Sequence, residues 1–302
     1  MTTEFDLTTT ISRLFVYPIK SCAGVEVSEA ILTETGLEFD RAWMVVDVTG
    51  EFVTQRELPR MALIKPQLKQ YEMVLRAPGM LALHIAIDAV EQPCRASVWG
   101  HDCAAYDMGD VAAQWFTDFL ATNLPAGQAA MQLRMVRFDP EHKRASNKKW
   151  TKDIEALNQF SDGYPVLVAS EASVQELNCK LRAAGHEAIT IERFRPNIVL
   201  AGVDAHDEDR VVALHIDAEV ADPNSPSGVE LALVKPCPRC PIPNIDPQTA
   251  LSSPQVGDML QTYRQDARVD GAVTFGMNAI TRSGFDAVLR VGQVVRANYA
   301  FD

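Results

Sequence analysis

Two cysteines, Cys237 and Cys240, are the residues whose type and spacing most clearly suggest chemistry in this sequence. They lie in VKPCPRCPIPNID (234–246), next to Lys235 and Arg239, and the four prolines of this segment exclude a regular helix. A thiol beside fixed positive charge is more readily a thiolate, and the thiolate is the form that binds a soft metal ion. We therefore predict a rigid loop that presents one sulfur to a metal.

The same cysteine pair has two other interpretations. A structural zinc site would need a second pair of Cys or His ligands, and the sequence has no second C-x-x-C and no closely spaced His pair. A thioredoxin-like dithiol should lie at a helix start that follows a strand, and the prolines on both sides of Cys240 fit that position poorly. Zinc binding and dithiol redox chemistry stay open as alternatives.

Length and charge limit the classes of function. With 302 residues the chain can bury a large core and form two domains. Its net charge of −12 argues against a nucleic-acid partner, although it allows a small basic pocket. No apolar run is long enough to span a bilayer, and the first ten residues lack the features of a signal peptide. We expect a cytoplasmic protein without membrane contact, with reduced thiols at Cys22, Cys94, Cys103 and Cys179.

Short runs of β-forming residues dominate the pattern along the chain. They recur about every ten to fifteen residues, a spacing that favours a barrel or sandwich over alternating strands and helices. The predicted strands are 11–19, 42–48, 52–54, 81–87, 96–99, 131–138, 165–169, 197–200, 229–234, 273–277 and 291–297.

Three helices are predicted from the spacing of apolar residues. The first covers 110–120, and a short third helix follows the cysteine segment. The second begins after Ser170 or Ser173 and ends at Gly185. Ser173 and Glu176 also fit a capping box, the pairing of a helix cap with an acidic residue three positions later.

Three irregular segments separate these elements. Residues 123–128 contain Pro125 and Gly127 and are the predicted domain junction. The basic stretch 139–152 is predicted to be a solvated loop, with a position beside the site or a partner-docking role as the alternative. Residues 162–165 are predicted to be a turn that feeds the next strand, and direct contact with a cofactor or substrate is the less favoured interpretation.

The cysteine segment belongs to a larger pattern. Together with YPIKSCAGV (17–25), FSDGYPVLVAS (160–170) and ERFRPNIVL (192–200), it resembles the MOSC superfamily. In detail the chain is similar to the branch that includes the mitochondrial amidoxime-reducing component and its bacterial relatives. Four ordered segments spread over most of the chain make this resemblance specific.

The resemblance implies a mainly β fold with a few helices, of the α+β class. We expect a MOSC-type β-barrel over 131–302 and a smaller N-terminal β domain over 1–130. Lys20, Ser21 and Arg41 must reach the same pocket as Cys240, so the first predicted strands are expected to pack into the barrel.

The resemblance also assigns site residues. In this family the second cysteine of the C-x-x-C motif binds the molybdenum of the molybdenum cofactor, which gives Cys240 the metal-ligand and catalytic roles. Cys237 is expected beside the site and is the alternative ligand. The cofactor carries a metal-binding dithiolene and a phosphate, so it needs cationic and polar partners. The expected cofactor-binding residues are Lys20, Ser21, Arg41, Ser170, Arg195, Asn197, Arg239 and Cys240.

Two of these positions also have a local rationale. Ser170 lies at a predicted helix start, where free N–H groups and the helix dipole favour an anion, and a plain helix cap is the alternative. Asn197 follows Pro196, whose fixed φ would help to aim the amide at the pterin, and bonding to the backbone is the alternative. Without the resemblance, each basic residue would be assigned to a surface ion pair.

The implied activity is a molybdenum-dependent reduction of N-hydroxylated compounds, such as amidoximes, hydroxylamines and N-hydroxylated bases. A non-catalytic carrier of molybdenum cofactor, or a sulfur-handling binding protein, is the alternative, because related domains occur in molybdenum cofactor sulfurases. Pyridoxal phosphate binding is a property associated with the superfamily as a whole. We expect no pyridoxal phosphate domain in this chain.

Electrons are expected to come from another protein. Some bacterial relatives carry a C-terminal ferredoxin domain with a four-cysteine cluster motif, and this sequence has no such spacing. The expected partners are therefore an external electron donor of the ferredoxin, flavoprotein or cytochrome type and a small N-hydroxylated substrate.

Overall fold

The computed structural model describes residues 4–89, 92–121, 131–217 and 228–300. Within these ranges the chain is built mainly of β-strands, which confirms the expected α+β class. The strands are β1 (Leu7–Val16), β2 (Val25–Val27), β3 (Glu29–Thr33), β4 (Gly36–Leu37), β5 (Trp43–Val46), β6 (Lys65–Leu68), β7 (Glu72–Arg76), β8 (Leu83–Ala86), β9 (Gln92–Val98), β10 (His101–Asp107), β11 (Arg134–Phe138), β12 (Val166–Ser170), β13 (Ile198–Ala201), β14 (Val211–Ile216), β15 (Val229–Pro238), β16 (Gln265–Asp266), β17 (Ala272–Ser283), β18 (Val288–Arg290) and β19 (Val294–Tyr299). The helices are α1 (Gly109–Ala121), α2 (Lys148–Thr151), α3 (Glu171–Ala183) and α4 (Gln255–Gln261).

Seven strands form a closed barrel in the order β12–β13–β1–β19–β14–β15–β17, and β17 pairs back with β12. Neighbouring strands are antiparallel except for the parallel pair β12 and β13. The interior is filled by fully buried aliphatic side chains such as Leu14, Val168, Ile198 and Leu214. Because their burial depends on the strand register, the barrel is a rigid frame for the loops at its rim.

A second β unit packs beside the barrel. It contains the four-stranded sheet β5–β11–β10–β9 and the three-stranded sheet β6–β7–β8. Helix α1 buries Phe116 and Phe119 in a core shared with Trp43 and Met135. A third small sheet, β18–β3–β4, joins a late strand of the chain to two early ones.

The division of the chain at residue 130 stays a prediction, and two strands cross it. β1 lies before the division and pairs with β13 and β19 of the barrel. β11 lies after it and pairs with β5 and β10 of the second unit. The predicted junction at 123–128 lies outside the described residues.

The start of α3 shows which of the two predicted serines caps the helix. Ser170 is the N-cap, because its Oγ accepts a hydrogen bond from the main-chain N of Ser173 at 3.2 Å. The predicted capping box of Ser173 and Glu176 is therefore wrong, since Ser173 already lies within the helix. Gly185 follows the helix with a φ of +81°, as expected for a C-terminal stop.

The prediction of a solvated loop over 139–152 was wrong for part of that stretch. Arg144 is buried, and its Nη1 donates hydrogen bonds to the main-chain oxygens of Gln159 and Ser161, both at 2.7 Å. Buried carbonyl oxygens need donors, and the guanidinium supplies them to the segment before β12. The two lysines of α2, which lies in the same stretch, are exposed.

β15 continues into the proline-rich segment that was predicted to be a loop. It pairs with β17 as far as Pro238, and the register is irregular between Pro236 and Pro238. Proline has no N–H to donate, so a strand accommodates it where the ladder is interrupted. As a result, Cys237 belongs to the strand, and Cys240 lies two residues beyond its end.

Candidate functional site

A cavity opens near the end of β15, where the barrel meets the loop after β1 and the turn before β5. Its volume is about 120 Å³, and it is open to solvent at its mouth. Seven of the eight predicted site residues line it, and they come from segments far apart in the sequence. They are Lys20, Ser21, Arg41, Arg195, Asn197, Arg239 and Cys240.

The cavity wall is cationic, although the whole chain carries a net charge of −12. Among the described residues that line it, five basic side chains face one carboxylate. The basic residues are Lys20, Arg41, Arg56, Arg195 and Arg239, and the carboxylate is Asp162. Such a wall favours an anionic or phosphate-bearing ligand.

Both cysteines of the C-x-x-C motif line the cavity, and Arg239 bonds to the first of them. Its Nη1 donates to Cys237 Sγ at 3.1 Å, and its Nη2 donates to the main-chain oxygen of Phe194 at 3.0 Å. The main-chain N of Arg239 donates to the oxygen of Val273 at 2.8 Å, which anchors the loop on β17.

Arg41 and Arg195 are held against the ring of Tyr17. Their guanidinium carbons lie 4.4 Å and 4.3 Å from the ring centroid, within the range of cation–π attraction. Arg41 also pairs with Asp40, and Arg195 donates to the main-chain oxygen of Cys22 at 2.6 Å. Burial, reinforced by the charge of Arg41, lowers the pKa of Arg195 to about 10. Arg195 therefore keeps its charge at neutral pH.

Lys20 is buried in the cavity wall and pairs with Asp162. Its Nζ also donates to the main-chain oxygen of Phe160 at 2.8 Å, and Trp99 Nε1 donates to Asp162 Oδ1 at 3.0 Å. Burial lowers the pKa of Lys20, and the charge of Asp162 opposes that shift. Burial would raise the pKa of Asp162, but the charge of Lys20 and the two hydrogen bonds outweigh it and hold the pKa below its ordinary value. The Asp162 side chain is nevertheless 65% exposed, because it faces the open cavity.

Three residues of the wall have left-handed backbone conformations. Their φ angles are +66° at Ser21, +52° at Arg41 and +59° at Arg195. This region is uncommon for residues other than glycine and costs free energy, so neighbouring contacts must hold it. Gln55 Nε2 donates to the Ser21 oxygen at 2.5 Å, and the Arg41 N–H donates to the Tyr17 oxygen at 2.8 Å. Strain of this kind is concentrated at functional sites, which supports the assignment of this cavity.

Asn197 ties the wall together. Its Oδ1 accepts hydrogen bonds from the Leu167 N–H at 3.0 Å and from Arg41 Nη1 at 3.2 Å. Its Nδ2 donates to the main-chain oxygen of Phe15 at 3.2 Å. The amide therefore links β1 to β12 and positions Arg41, which agrees with the backbone-bonding alternative.

Ser170 is the one predicted site residue that does not line the cavity. It is fully buried, and its main-chain N donates to Glu208 Oε1 at 3.2 Å. Ser173 Oγ donates to the same carboxylate oxygen at 2.7 Å. Glu208 thus occupies the positive end of α3, so the predicted anion site at Ser170 is wrong and the plain helix cap is correct.

Among the residues in or beside the cavity that were not predicted as site residues, four make contacts that shape its wall. They are Tyr17, Arg56, Trp99 and Asp162. Tyr17 and Asp162 lie within the segments 17–25 and 160–170 that carry the family resemblance, so the sequence contained a signal for them. Trp99 and Arg56 have no such signal, because their role depends on contacts with distant residues.

The wall fits an anionic cofactor that contains a soft metal. In the part of the chain that the structure describes, Arg195 Nη2 and Arg239 Nε are buried without a hydrogen-bond partner. Buried donors without partners cost free energy, and an anionic ligand would supply acceptors for them. The Cys240 thiol, which lines the same cavity, is a donor of the kind that a soft metal prefers.

Within the described residues, no three His, Cys, Asp or Glu side chains lie close enough together to hold a metal ion. None of the helices formed by these residues is long and apolar enough to cross a membrane.

Comparison with sequence families matches both halves of the chain. The MOSC N-terminal beta barrel domain matches residues 8–123, and the MOSC domain matches residues 156–296. The fold and these matches define a protein that contains both MOSC domains.

Curated relatives make the assignment more particular. Mitochondrial amidoxime reducing component 2 of Rattus norvegicus is 34% identical over 266 residues, which cover 84% of this chain and 72% of the relative. Mitochondrial amidoxime-reducing component 1 of Homo sapiens is 33% identical over 266 residues, which cover 85% and 72%. This chain belongs to the MOSC family that contains these amidoxime-reducing components. The solved structure of the YUAD protein from Bacillus subtilis aligns over 98% of each chain, at 12% identity and a TM-score of 0.40.

Proposed function

We propose that this protein is a molybdenum-dependent reductase of N-hydroxylated compounds, namely amidoximes, hydroxylamines and N-hydroxylated bases. The observation that carries the proposal is the meeting of the Cys240 thiol with Lys20, Arg41 and Arg195 in one cavity. The substrate class follows from the names of the curated relatives, which are amidoxime-reducing components.

The residues of the wall divide the task of holding the cofactor. Cys240 would bind the molybdenum through its sulfur. Arg195 and Arg239 would donate hydrogen bonds to the anionic end, using the nitrogens that lack partners in the described chain. Lys20, Ser21 and Arg41 complete the cationic side of the cavity.

When bound, the cofactor would supply two electrons for cleavage of the substrate N–O bond, with two protons taken up and water released. The protein fixes the geometry of this reaction. Asn197 positions Arg41, and Tyr17 keeps the Arg41 and Arg195 guanidinium groups side by side. Because Asp162 stays ionised at neutral pH, it holds the charge of Lys20 at the wall.

We assign the electrons to a separate donor protein of the ferredoxin, flavoprotein or cytochrome type. We also propose the cytoplasm as the compartment. The six cysteines are all free thiols, which is in keeping with a reducing environment.

The test uses protein produced in a host that makes molybdenum cofactor. It should contain molybdenum and pterin in equal amounts, and it should reduce benzamidoxime to benzamidine with reduced methyl viologen as the electron donor. Bound molybdenum and pterin without amidoxime reduction would favour the carrier or sulfur-handling alternative. Zinc without pterin would contradict both functions.

A further inference from the structure

We infer that the mouth of the cavity is a docking surface for an acidic electron-carrier protein. The inference rests on the proposed function, because a reductase with an external donor needs such a surface. Six side chains form this surface, which we call the cation–aromatic rim. They are Arg56, Trp99, Lys149, Trp150, Tyr164 and Lys235.

Arg56 and Trp99 form one side of the rim. Arg56 lines the cavity, and its guanidinium carbon lies 4.6 Å from the centroid of the Trp99 ring. Trp99 is 46% exposed at the tip of the β9–β10 hairpin, with a φ of +53°. A bulky residue rarely adopts this conformation, and strained residues cluster at binding sites.

Trp99 also connects the surface to the cavity. Its Nε1 donates to Asp162 Oδ1, the carboxylate oxygen that pairs with the buried Lys20. A protein that contacts the exposed face of the Trp99 ring is therefore one side chain away from the cavity wall.

Lysines and rings alternate on the other side of the rim. Lys235 Nζ lies 5.6 Å from the Trp150 ring centroid and 5.7 Å from that of Tyr164. Lys149 Nζ lies 5.3 Å from the centroid of Trp150. Because Tyr164 lines the cavity, its contact places Lys235 beside the cavity, and Lys149 follows next to Lys235 through their shared contact with the Trp150 ring.

Charge complementarity selects the occupant. The chain has a net charge of −12, but the rim carries three cations. The rim is therefore a positively charged region on an otherwise acidic protein. Trp, Tyr and Arg are the residues most enriched at the energetic centres of protein interfaces, and complementary charge speeds association. An acidic one-electron carrier is a protein partner with the charge opposite to that of the rim. Nucleic acid is a poorer candidate, because the acidic remainder of the chain would repel it.

The test compares two charge-reversed double variants of the full chain. Lys149→Glu/Lys235→Glu changes the rim, and Lys69→Glu/Lys180→Glu makes the same charge change on the β6–β7 turn and on α3. Binding of an acidic [2Fe–2S] ferredoxin and of an acidic cytochrome b5-type haem domain is measured by calorimetry at low and high ionic strength.

We expect the rim variant to weaken binding of at least one carrier by about tenfold or more at low ionic strength. The difference should shrink at high ionic strength, because salt screens exposed charges. The control variant should bind like the wild type. Equal weakening in both variants, or no binding of either carrier to the wild type at low ionic strength, would overturn the docking surface. If the double variant does not fold, the exposed single change Lys149→Glu replaces it.

An activity assay separates this inference from the proposed function. With reduced methyl viologen, the single variant Lys149→Glu, which changes the rim outside the cysteine segment, should keep the wild-type KM and kcat for benzamidoxime, because a small donor needs no docking surface. A raised KM in this assay would assign the rim to the substrate and overturn the docking inference. If the wild type shows no amidoxime reduction, the proposed function is wrong. The binding comparison then still tests whether the rim is a docking surface.

Discussion

Arg41 Nη2 donates a hydrogen bond to the main-chain oxygen of Arg195 at 3.1 Å, although the two residues are far apart in the sequence. Both guanidinium groups also contact the ring of Tyr17. Two like charges this close repel each other, and the pKa of Arg195 is lowered first by its burial and then by this repulsion. The wall is therefore arranged for a bound anion, which would remove the repulsion.

Tyr17 should act as the spacer between the two arginines. Its hydroxyl has no hydrogen-bond partner among the described residues, so Tyr17→Phe should keep the cofactor as well as the wild type. Tyr17→Leu removes the ring, and each cation–π contact contributes about 0.5–2 kcal/mol. Cofactor retention, measured as pterin remaining after dialysis, should therefore fall about tenfold or more in Tyr17→Leu. Equal behaviour of the two variants would rule out the spacer role.

The two cysteines of the motif should respond differently to substitution. Cys240→Ser replaces the soft metal ligand by a hydroxyl, so we expect molybdenum content and amidoxime reduction to be lost. Cys237→Ser removes the contact with Arg239 Nη1 and should keep most of the metal. Metal analysis of both variants beside the wild type is the measurement. The reverse pattern, with metal lost only in Cys237→Ser, would assign the ligand to Cys237.

The part of the site that could be predicted lies in contiguous motifs. Lys20, Arg195 and Cys240 each lie in a segment that resembles the family, and the structure brings all three to one cavity. Residues outside such motifs were missed. Trp99 acts through a hydrogen bond to Asp162, a residue 63 positions away, and no local pattern records that partner.

Predictions from short sequence patterns also failed where a residue distant in the sequence already makes the expected contact. The start of α3 was predicted as an anion site, and the rule about helix N-termini holds there. A carboxyl group of the protein, that of Glu208, already accepts the hydrogen bonds of that helix end. Arg144 is a second example. It lies in a polar stretch that was predicted to be solvated, but it is buried because its side chain donates hydrogen bonds to carbonyl groups of residues 159 and 161. The strand pattern alone predicted the β architecture, whereas the closing pair β12 and β17 is a long-range contact.

The free energy of unfolding should depend on pH through the ionisation of Asp162. Its pKa in the folded protein lies below its ordinary value, so its stabilising effect is complete above the unfolded pKa of about 3.9 and is lost as pH falls through the folded value. The difference in unfolding free energy between wild type and Asp162→Asn should therefore be largest near neutral pH and shrink below about pH 4. Urea unfolding across this range measures it. Asp153→Asn, at an exposed position, is the control for removal of one carboxylate and should unfold like the wild type near neutral pH.

Closure of the barrel should depend on the absence of a side chain at Gly276. Its φ is +74°, and a Cβ there would lie 2.6 Å from the main-chain oxygen of Val168 on β12. Gly276→Ala should therefore lower the unfolding free energy by about 3 kcal/mol or more, because backbone strain and a steric clash add.

Gly271 provides a matched control just before the same strand. Its φ is +76°, but a Cβ there would meet no atom within 4 Å, so Gly271→Ala has the backbone strain without the clash. We expect a loss of only about 1–2 kcal/mol in this variant. Urea unfolding of both variants at neutral pH gives the comparison. Equal losses would mean that β12 moves aside at no cost, and the β12–β17 pair would then not be the rigid closure of the barrel.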